Sequence, residues 1–326
     1  MGIATASDRP LVSVLMPAYQ HARFVEEAIR SVWNQSYRPL ELLVCDDCSS
    51  DSTYEIASEL AHESPIPMKV FRNSVNLGIC GTLNSLIEES SGEWIALLPS
   101  DDFYGESFIA RNMDTARELD TKLVCIHSNA HRVDERGESI DYESMFTKPP
   151  VTGEAFWQVA EGTGRIVPPT VFTSRLVYER AGGFDDTLRA EDFDLHLRVS
   201  RFATYHYIDE KHLSKRESPS SLGHQTHWTR DIFVALSKHR DVDADRIDAL
   251  IDGKYLRHAR RCGLLGDAAL ARELAHEYRG RTGRNSFLFW LQYAAGCSIR
   301  HIRTVIGPGT ASRVINWLRP RPRAGS

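Results

Sequence analysis

The sequence predicts an α/β fold: a mostly parallel central sheet flanked by helices, followed by a helical C-terminal extension. Three observations carry this expectation. Short apolar runs of strand type alternate with segments whose apolar residues recur at helical spacing, the rhythm of βαβ units. Two of those runs stop at paired carboxylates, Asp46-Asp47 and Asp101-Asp102, and the carboxyl ends of parallel strands are where open α/β sheets bind ligands. From about residue 225 the pattern becomes wholly helical, so we expect one domain over residues 1–224 and a basic extension over 225–326.

Taken in order, Leu11 to Met16 reads as the first strand, ended by Pro17, which cannot donate to a ladder. Phe24, Ala28, Ile29, Val32 and Trp33 lie on one face of a helix. Glu41 to Cys45 is the second strand and runs straight into Asp46-Asp47. The capping box Ser52-x-x-Glu55 opens a helix that turns Ile56 and Leu60 inward. Met68 to Phe71 is a third strand and Gly78 to Ile87 a helix. Trp94 to Leu98 is too short for a stable helix and follows Ser91-Gly92, so it reads as a buried fourth strand. Lys122 to His127 is a further strand, and Arg132 to Glu138 reads as a turn.

With 42% apolar residues in 326, the chain can fill a sizeable core. Six cysteines include one C-x-x-C pair, Cys45 and Cys48, without a second pair at zinc spacing, and we read all six as reduced and most of them as packed. Neither a signal sequence nor an apolar run of about 18 residues is present, which points to a cytoplasmic protein. The net charge of −5 is unevenly spread: nine arginines and no acid follow Glu277, leaving −14 on residues 1–277. A basic tail beside an acidic body suggests an anionic partner for the tail alone and argues against nucleic acid.

Two acid pairs on one rim could serve a nucleotide, one pair reading base and ribose, the other holding a divalent cation on the diphosphate. Pro17-Ala-Tyr-Gln-His lacks the glycines of a dinucleotide fingerprint, and no phosphate-cradling loop with a lysine occurs. Metal rather than backbone amides would then neutralise the phosphates.

Several motifs resemble, in order and spacing, those of the family 2 inverting glycosyltransferases of the GT-A fold. They are Ser13-Val-Leu-Met-Pro-Ala-Tyr19, Val44-Cys-Asp-Asp-Cys-Ser49 with Asp51 and Thr53, Asn76 to Asn84, Leu98-Pro-Ser-Asp-Asp102, and Gly182-Gly-Phe-Asp185 with Glu191-Asp192 and Leu195-x-x-Arg198. The resemblance spans about residues 11–222. It implies that Pro17, Ala18 and Tyr19 pack on the donor base, that Asp47 with Asp46 contacts it, and that Asn76 lies on the nucleotide side. It places Asp102, with Asp101 beside it, at the divalent metal, Mg²⁺ or Mn²⁺, and Asp101 also near the ribose. Asp192 matches the catalytic base, and Glu191 is placed to orient it or an acceptor hydroxyl.

Two departures stand out. The acidic motif is the short Ser100-Asp-Asp form, and where a common pattern reads Tyr-Arg-x-His-x-x-Ser this chain reads Lys215-Arg-Glu-Ser218-Pro-Ser-Ser221. Ser218 thus replaces a histidine that can approach the metal, leaving His212 and His224 as candidates for a third ligand.

The expected reaction moves a sugar from a nucleotide diphosphate sugar, a UDP-sugar being favoured, to a glycan or polyprenyl-linked acceptor. Asp192 opens a helical segment whose dipole should lower its pKa, and Arg198 should make a structural ion pair. Phe156, Trp157 and His127 could stack on sugar rings or serve as core. Downstream, Ile232 to Leu236, Ile247 to Leu256 and Leu264 to Leu274 suggest two or three packed helices. The apolar run Phe287 to Ala295, with Ile299, Ile302, Val305, Ile306, Trp317 and the arginines, reads either as a peripheral helix on the inner membrane face or as a basic-faced helix packed on the catalytic domain or on a second subunit, as in a homodimer. A sugar nucleotidyltransferase would need a Gly-rich loop with Arg and Lys after the first strand, which is missing. A nucleotide-sugar-binding scaffold would be expected to lack one of the acids, and none is lost.

Overall fold

The computed structural model describes residues 9–140, 148–189, 191–217, 229–283 and 287–306, and the chain divides into two units between Ile232 and Phe233. In the first unit β1 (Val12–Ala18), β2 (Leu40–Asp46), β3 (Met68–Arg72) and β4 (Trp94–Leu97) are linked through α1 (Val25–Trp33), α2 (Thr53–Glu63) and α3 (Gly78–Glu89). There follow β5 (Phe103–Tyr104), α4 (Phe108–Glu118), β6 (Val124–Val133), α5 (Phe156–Glu161), β7 (Phe172–Ser174), α6 (Arg175–Ala181), α7 (Glu191–Val199) and β8 (Thr204–Arg216). The eight strands form one sheet in the order β3-β2-β1-β4-β7-β6-β8-β5. Pairing is parallel from β3 to β4 and between β6 and β8; β7 runs antiparallel to both neighbours, as does β5 to β8. The sheet is therefore mostly parallel, as expected.

Every residue of β1 is buried, which explains its nearly unbroken apolar run: helices cover both faces of a parallel sheet. Val12, Val14 and Met16 share a core with Val25, Ala28, Ile29 and Val32 of α1, and each of the valine, isoleucine and methionine side chains contributes roughly 1.5–3 kcal/mol by leaving water. At the amino-terminal edge one carboxylate fixes three strands. Glu41 Oε1 accepts from Ser13 Oγ at 2.6 Å, from Ser91 N at 2.7 Å and from Gly92 N at 3.2 Å. Gly92 is required there because a Cβ would lie 2.5 Å from Ser13 N.

Three local expectations are corrected. The first strand does not end at Pro17 but continues through Ala18, opposite Asp46, because proline lacks only the donor and its carbonyl still accepts, here from Ser100 N at 3.3 Å. Ser52 makes no side-chain cap on α2. Asp51 does that work, its Oδ1 accepting from Thr53 N at 3.1 Å and its Oδ2 from Ala22 N at 3.1 Å, so it ties the loop after β1 to the start of α2. The strand expected to stop at His127 runs to Val133 with irregular pairing after Ser128, and the turn begins only at Asp134, whose Oδ1 accepts from Arg136 N and Glu138 N.

The second unit is helical. After α8 (Thr229–Ser237), which begins before the division, come α9 (Ala244–Leu265), α10 (Ala268–Thr282) and α11 (Phe287–Ile306). The apolar set Ile247 to Leu256 lies on α9, and the set Leu264 to Leu274 is divided between the last turn of α9 and α10. Asp243 and Asp267 cap α9 and α10 by accepting from Arg246 N and Leu270 N, and Gly266 and Gly283 end them in the left-handed conformation. The backbones of α9 and α11 approach closely at Gly263 and Gly296: a Cβ on either would overlap the other helix's backbone at Tyr293 or Arg260. Among the described residues no helix is long and apolar enough to cross a membrane.

Candidate active site

The site is built where β1, β2 and β4 end. Two main-chain hydrogen bonds join the acid motifs to the end of β1: Asp47 N donates to Ala18 O at 2.8 Å and Ser100 N to Pro17 O. Beyond them Tyr19 is 47% exposed, an aromatic face open on the rim. The loops after β1 and β2 are stitched by Gln20 N to Ser49 Oγ and His21 N to Thr53 Oγ1, both at 2.9 Å. Ser49 and Thr53 thereby tie the loop that carries Asp47 to the one that carries Tyr19.

Asp46 is fully buried. Its Oδ2 accepts from Ser49 N at 3.0 Å and pairs with Arg72 Nε at 3.1 Å, whereas Oδ1 is buried with no hydrogen-bond partner among the described residues. Asp47 instead organises the loop leading to α3: Asn73 Nδ2 and Leu77 N donate to its Oδ1 at 2.8 Å, and Gly78 N to its Oδ2 at 2.9 Å. Asn76 supports the same loop, donating to Asp47 O at 3.3 Å and accepting from Gly78 N at 3.2 Å.

Asp101 and Asp102 form the turn after β4. Asp102 is 3% exposed and its Oδ1 accepts from Arg216 N at 2.7 Å. Burial, reinforced by the neighbouring Asp101 charge, raises its pKa well above the usual carboxylate range. Arg216 was given no role by the sequence, yet it holds this turn. Its Nε donates to Asp101 O at 2.9 Å, Nη1 to Asp134 O at 3.1 Å and Nη2 to Glu27 at 2.6 Å, with the guanidinium over Phe24 and Phe103. The only sequence signal was its place in the Tyr-Arg-x-His pattern. On the other side His21 Nδ1 meets Ser100 Oγ at 2.9 Å, and its Nε2 lies 3.9 Å from Asp101 Oδ2.

Asp192 stands in the first turn of α7, with Oδ1 accepting from Phe193 N at 2.7 Å. The expectation that the helix dipole sets its pKa is overturned: burial outweighs the amide contacts and the nearby Lys215 charge, and the carboxyl is raised. The segment leading to it is held by α3, since Asn84 bonds both main-chain groups of Phe184, and Cys80 Sγ lies 3.1 Å from Leu188 O. Arg198 makes the expected ion pair, 2.7 Å from Asp194 Oδ2, and donates to Gly183 O at 2.8 Å. The side chain of Glu191 and the residues Ser218, Ser221 and His224 lie outside those described.

Other candidates are placed elsewhere. His212 is no metal ligand: Nδ1 bonds Ser107 Oγ at 3.0 Å and Nε2 pairs with Glu210 at 2.5 Å, so neither nitrogen is left for a cation. His127 belongs to the core, with Nε2 on Val151 O at 2.8 Å and a pKa pushed down to about 4 by burial. Phe156 and Trp157 form a half-buried edge-to-face pair. All six cysteines are free.

No cluster of three or more His, Cys, Asp or Glu side chains among the described residues could by itself hold a metal. Two adjacent carboxylates nevertheless fit a hard divalent cation that takes its remaining oxygens from phosphate and water, and such a cation would relieve the repulsion that raises Asp102.

A mostly parallel sheet whose strand ends carry these acids, with a helical extension, is the GT-A class of fold. The chain belongs to glycosyl transferase family 2, whose model matches residues 13–175. It is 28% identical over 229 residues to an uncharacterized glycosyltransferase of Rickettsia conorii, a match covering 68% of this chain and 37% of that protein. It is 27% identical over 211 residues to chondroitin synthase of Escherichia coli, covering 64% and 29% respectively. The chain thus spans about a third of the length of these relatives. Crystal structures of S. aureus TarS 1–349 with UDP and with UDP-GlcNAc share the fold, with TM-scores of 0.57 and 0.58 at 21% and 19% identity. Each covers 76% of this chain, and 71% and 72% of TarS 1–349 respectively.

Proposed function

We propose that the protein is an inverting glycosyltransferase that moves a sugar from a nucleotide diphosphate sugar, with a UDP-sugar as the favoured donor, to a hydroxyl of a glycan or polyprenyl-linked acceptor. The observation that carries this reading is the acidic turn Asp101-Asp102, joined through Ser100 N to the end of β1 beside the Asp47 bond to Ala18, in a chain that belongs to glycosyl transferase family 2. The charge of Lys215 acts on both Asp102 and the half-buried Asp192, which supports assigning the diphosphate turn and the base to one reaction space. The complexes of TarS with UDP and UDP-GlcNAc support the choice of donor.

In this mechanism Asp192 takes the proton of the acceptor hydroxyl, whose oxygen attacks C1 of the sugar from the face opposite the diphosphate. A raised pKa suits a general base, since its proton affinity then lies closer to working pH. Asp101 and Asp102 would hold Mg²⁺ or Mn²⁺, which would supply Lewis-acid stabilisation to the departing diphosphate. Pro17, Ala18 and Tyr19 line the base, with Asp46 and Asp47 beside them at the strand ends. Asp47 and Asn76 keep that loop in shape, and Glu191 orients the acceptor. The second unit attaches the protein peripherally to the inner face of the plasma membrane, where a lipid-linked acceptor would lie. Trp290 and Leu291 of α11 are exposed, as such a contact needs.

Turnover of UDP-, GDP- and dTDP-sugars, with Mn²⁺, Mg²⁺ or EDTA and with lipid-linked acceptors, tests this for the wild type and Asp192→Asn. Metal-dependent transfer from one donor, lost in Asp192→Asn while nucleotide binding survives, is the expected result. Binding without transfer in either protein would favour the scaffold.

A further inference from the structure

Lys215 stands where the common family pattern has a tyrosine, three residues before the Ser218 that replaces its histidine. It lies near the end of β8 opposite Arg132, and the amide of the next residue, Arg216, is the one that donates to Asp102. Side chains alternate along a strand, so Lys215 faces away from Arg216, whose guanidinium runs past the Asp101 carbonyl to Glu27. Lys215 is half-buried, and among the described residues no carboxylate forms an ion pair with it. Its charge reaches two carboxylates from distant parts of the chain, Asp102 and Asp192, and lowers the pKa of each against the burial that raises it. A partly desolvated ammonium without a bonded counter-ion, whose charge acts on both groups, is suited to receive an anion.

The transfer reaction proposed above, on which this inference rests, generates that anion. The bond from C1 to the β-phosphate oxygen breaks and both its electrons stay on that oxygen. The acceptor oxygen bonds to C1, and the acceptor proton passes to Asp192. The nucleoside diphosphate leaves with one more negative charge than it carried in the donor. We propose that Lys215 is the protein cation that binds the donor's diphosphate and takes up this developing charge, doing for this chain part of what a third side-chain metal ligand does in relatives. A lysine is suited to the task, since its compact ammonium has three donors to aim at phosphate oxygens and its charge acts most strongly where charge develops.

Calorimetric binding of UDP, GDP and dTDP to the wild type, Lys215→Gln and Lys215→Arg, each in Mn²⁺ and in EDTA, tests the assignment, with melting curves as the folding control. The diphosphate that binds the wild type should bind Lys215→Gln about tenfold more weakly in both conditions, with Lys215→Arg close to the wild type. Should Lys215→Gln fail to fold, Lys215→Met takes its place in the same comparison. Equal affinity of Lys215→Gln and the wild type overturns the proposal. So does a loss confined to Mn²⁺, which would make Lys215 a support of the metal carboxylates, or a loss as large in Lys215→Arg. If the wild type binds no diphosphate in either condition, the nucleotide-sugar reading itself fails and the assignment falls with it.

Discussion

Asn84 and Phe184, a hundred residues apart, are joined through one side-chain amide: Nδ2 donates to Phe184 O at 2.9 Å and Oδ1 accepts from Phe184 N at 2.8 Å. Gly183, at φ +74°, leaves room for that amide, as a Cβ there would lie 2.8 Å from Asn84 Oδ1. The pair fixes the start of the segment that ends at Asp192. Asn84→Ala should lower stability by about 1–3 kcal/mol, because two main-chain groups lose partners. Turnover should fall further than stability explains, while nucleotide affinity stays near the wild type. Urea unfolding beside steady-state kinetics reads both.

Arg216 should be irreplaceable by lysine, since one planar guanidinium serves Asp101 O, Asp134 O and Glu27 at once. Arg216→Lys should cost about 2–3 kcal/mol in urea unfolding. It should also weaken Mn²⁺ binding in calorimetry with nucleoside diphosphate present. Glu27→Gln, at the half-exposed end of the chain of contacts, should cost less than 1 kcal/mol.

His127 makes stability fall on acidification. Its folded pKa of about 4 lies below the ordinary 6.5, so the unfolded chain binds the proton first. The contribution is therefore complete above pH 6.5 and declines as pH falls toward 4. Unfolding free energy measured at pH 7, 6 and 5 should drop less steeply in His127→Gln than in the wild type. An unchanged slope would show that His127 does not stay neutral in the fold.

The helical unit should be sensitive at two glycines. Gly263→Ala and Gly296→Ala each thrust a methyl group into the facing backbone, so each should destabilise by about 1–3 kcal/mol. Gly253→Ala, on α9 with open space around it, should be neutral or slightly stabilising. Limited proteolysis of full-length protein should cut the first two variants faster within residues 233–306.

The parallel half of the sheet was legible because its strands are short apolar runs that end at acids, and α1 because Val25, Ala28, Ile29 and Val32 keep helical spacing. The cap on α2 was misread because Ser52 and Glu55 fit the local pattern, whereas Asp51 acts across space on Ala22. Arg216 was hidden for the same reason: its partners lie in α1, the Asp101 turn and the loop after β6. Nearness to a helix start suggested the sign of the Asp192 shift, but sequence spacing does not report how deeply a carboxyl is buried.

Glu41 sits at the opposite end of the sheet from the acids, bonded to Ser13, Ser91 and Gly92. A one-residue slip of β1 would break its bond to Ser13 and turn Val12, Val14 and Met16 away from their core. Alignment of the strands is thus guaranteed at one end and used at the other. The loops bearing Tyr19, Asn76 and Asp101 can exchange side chains without passing the change through that anchor.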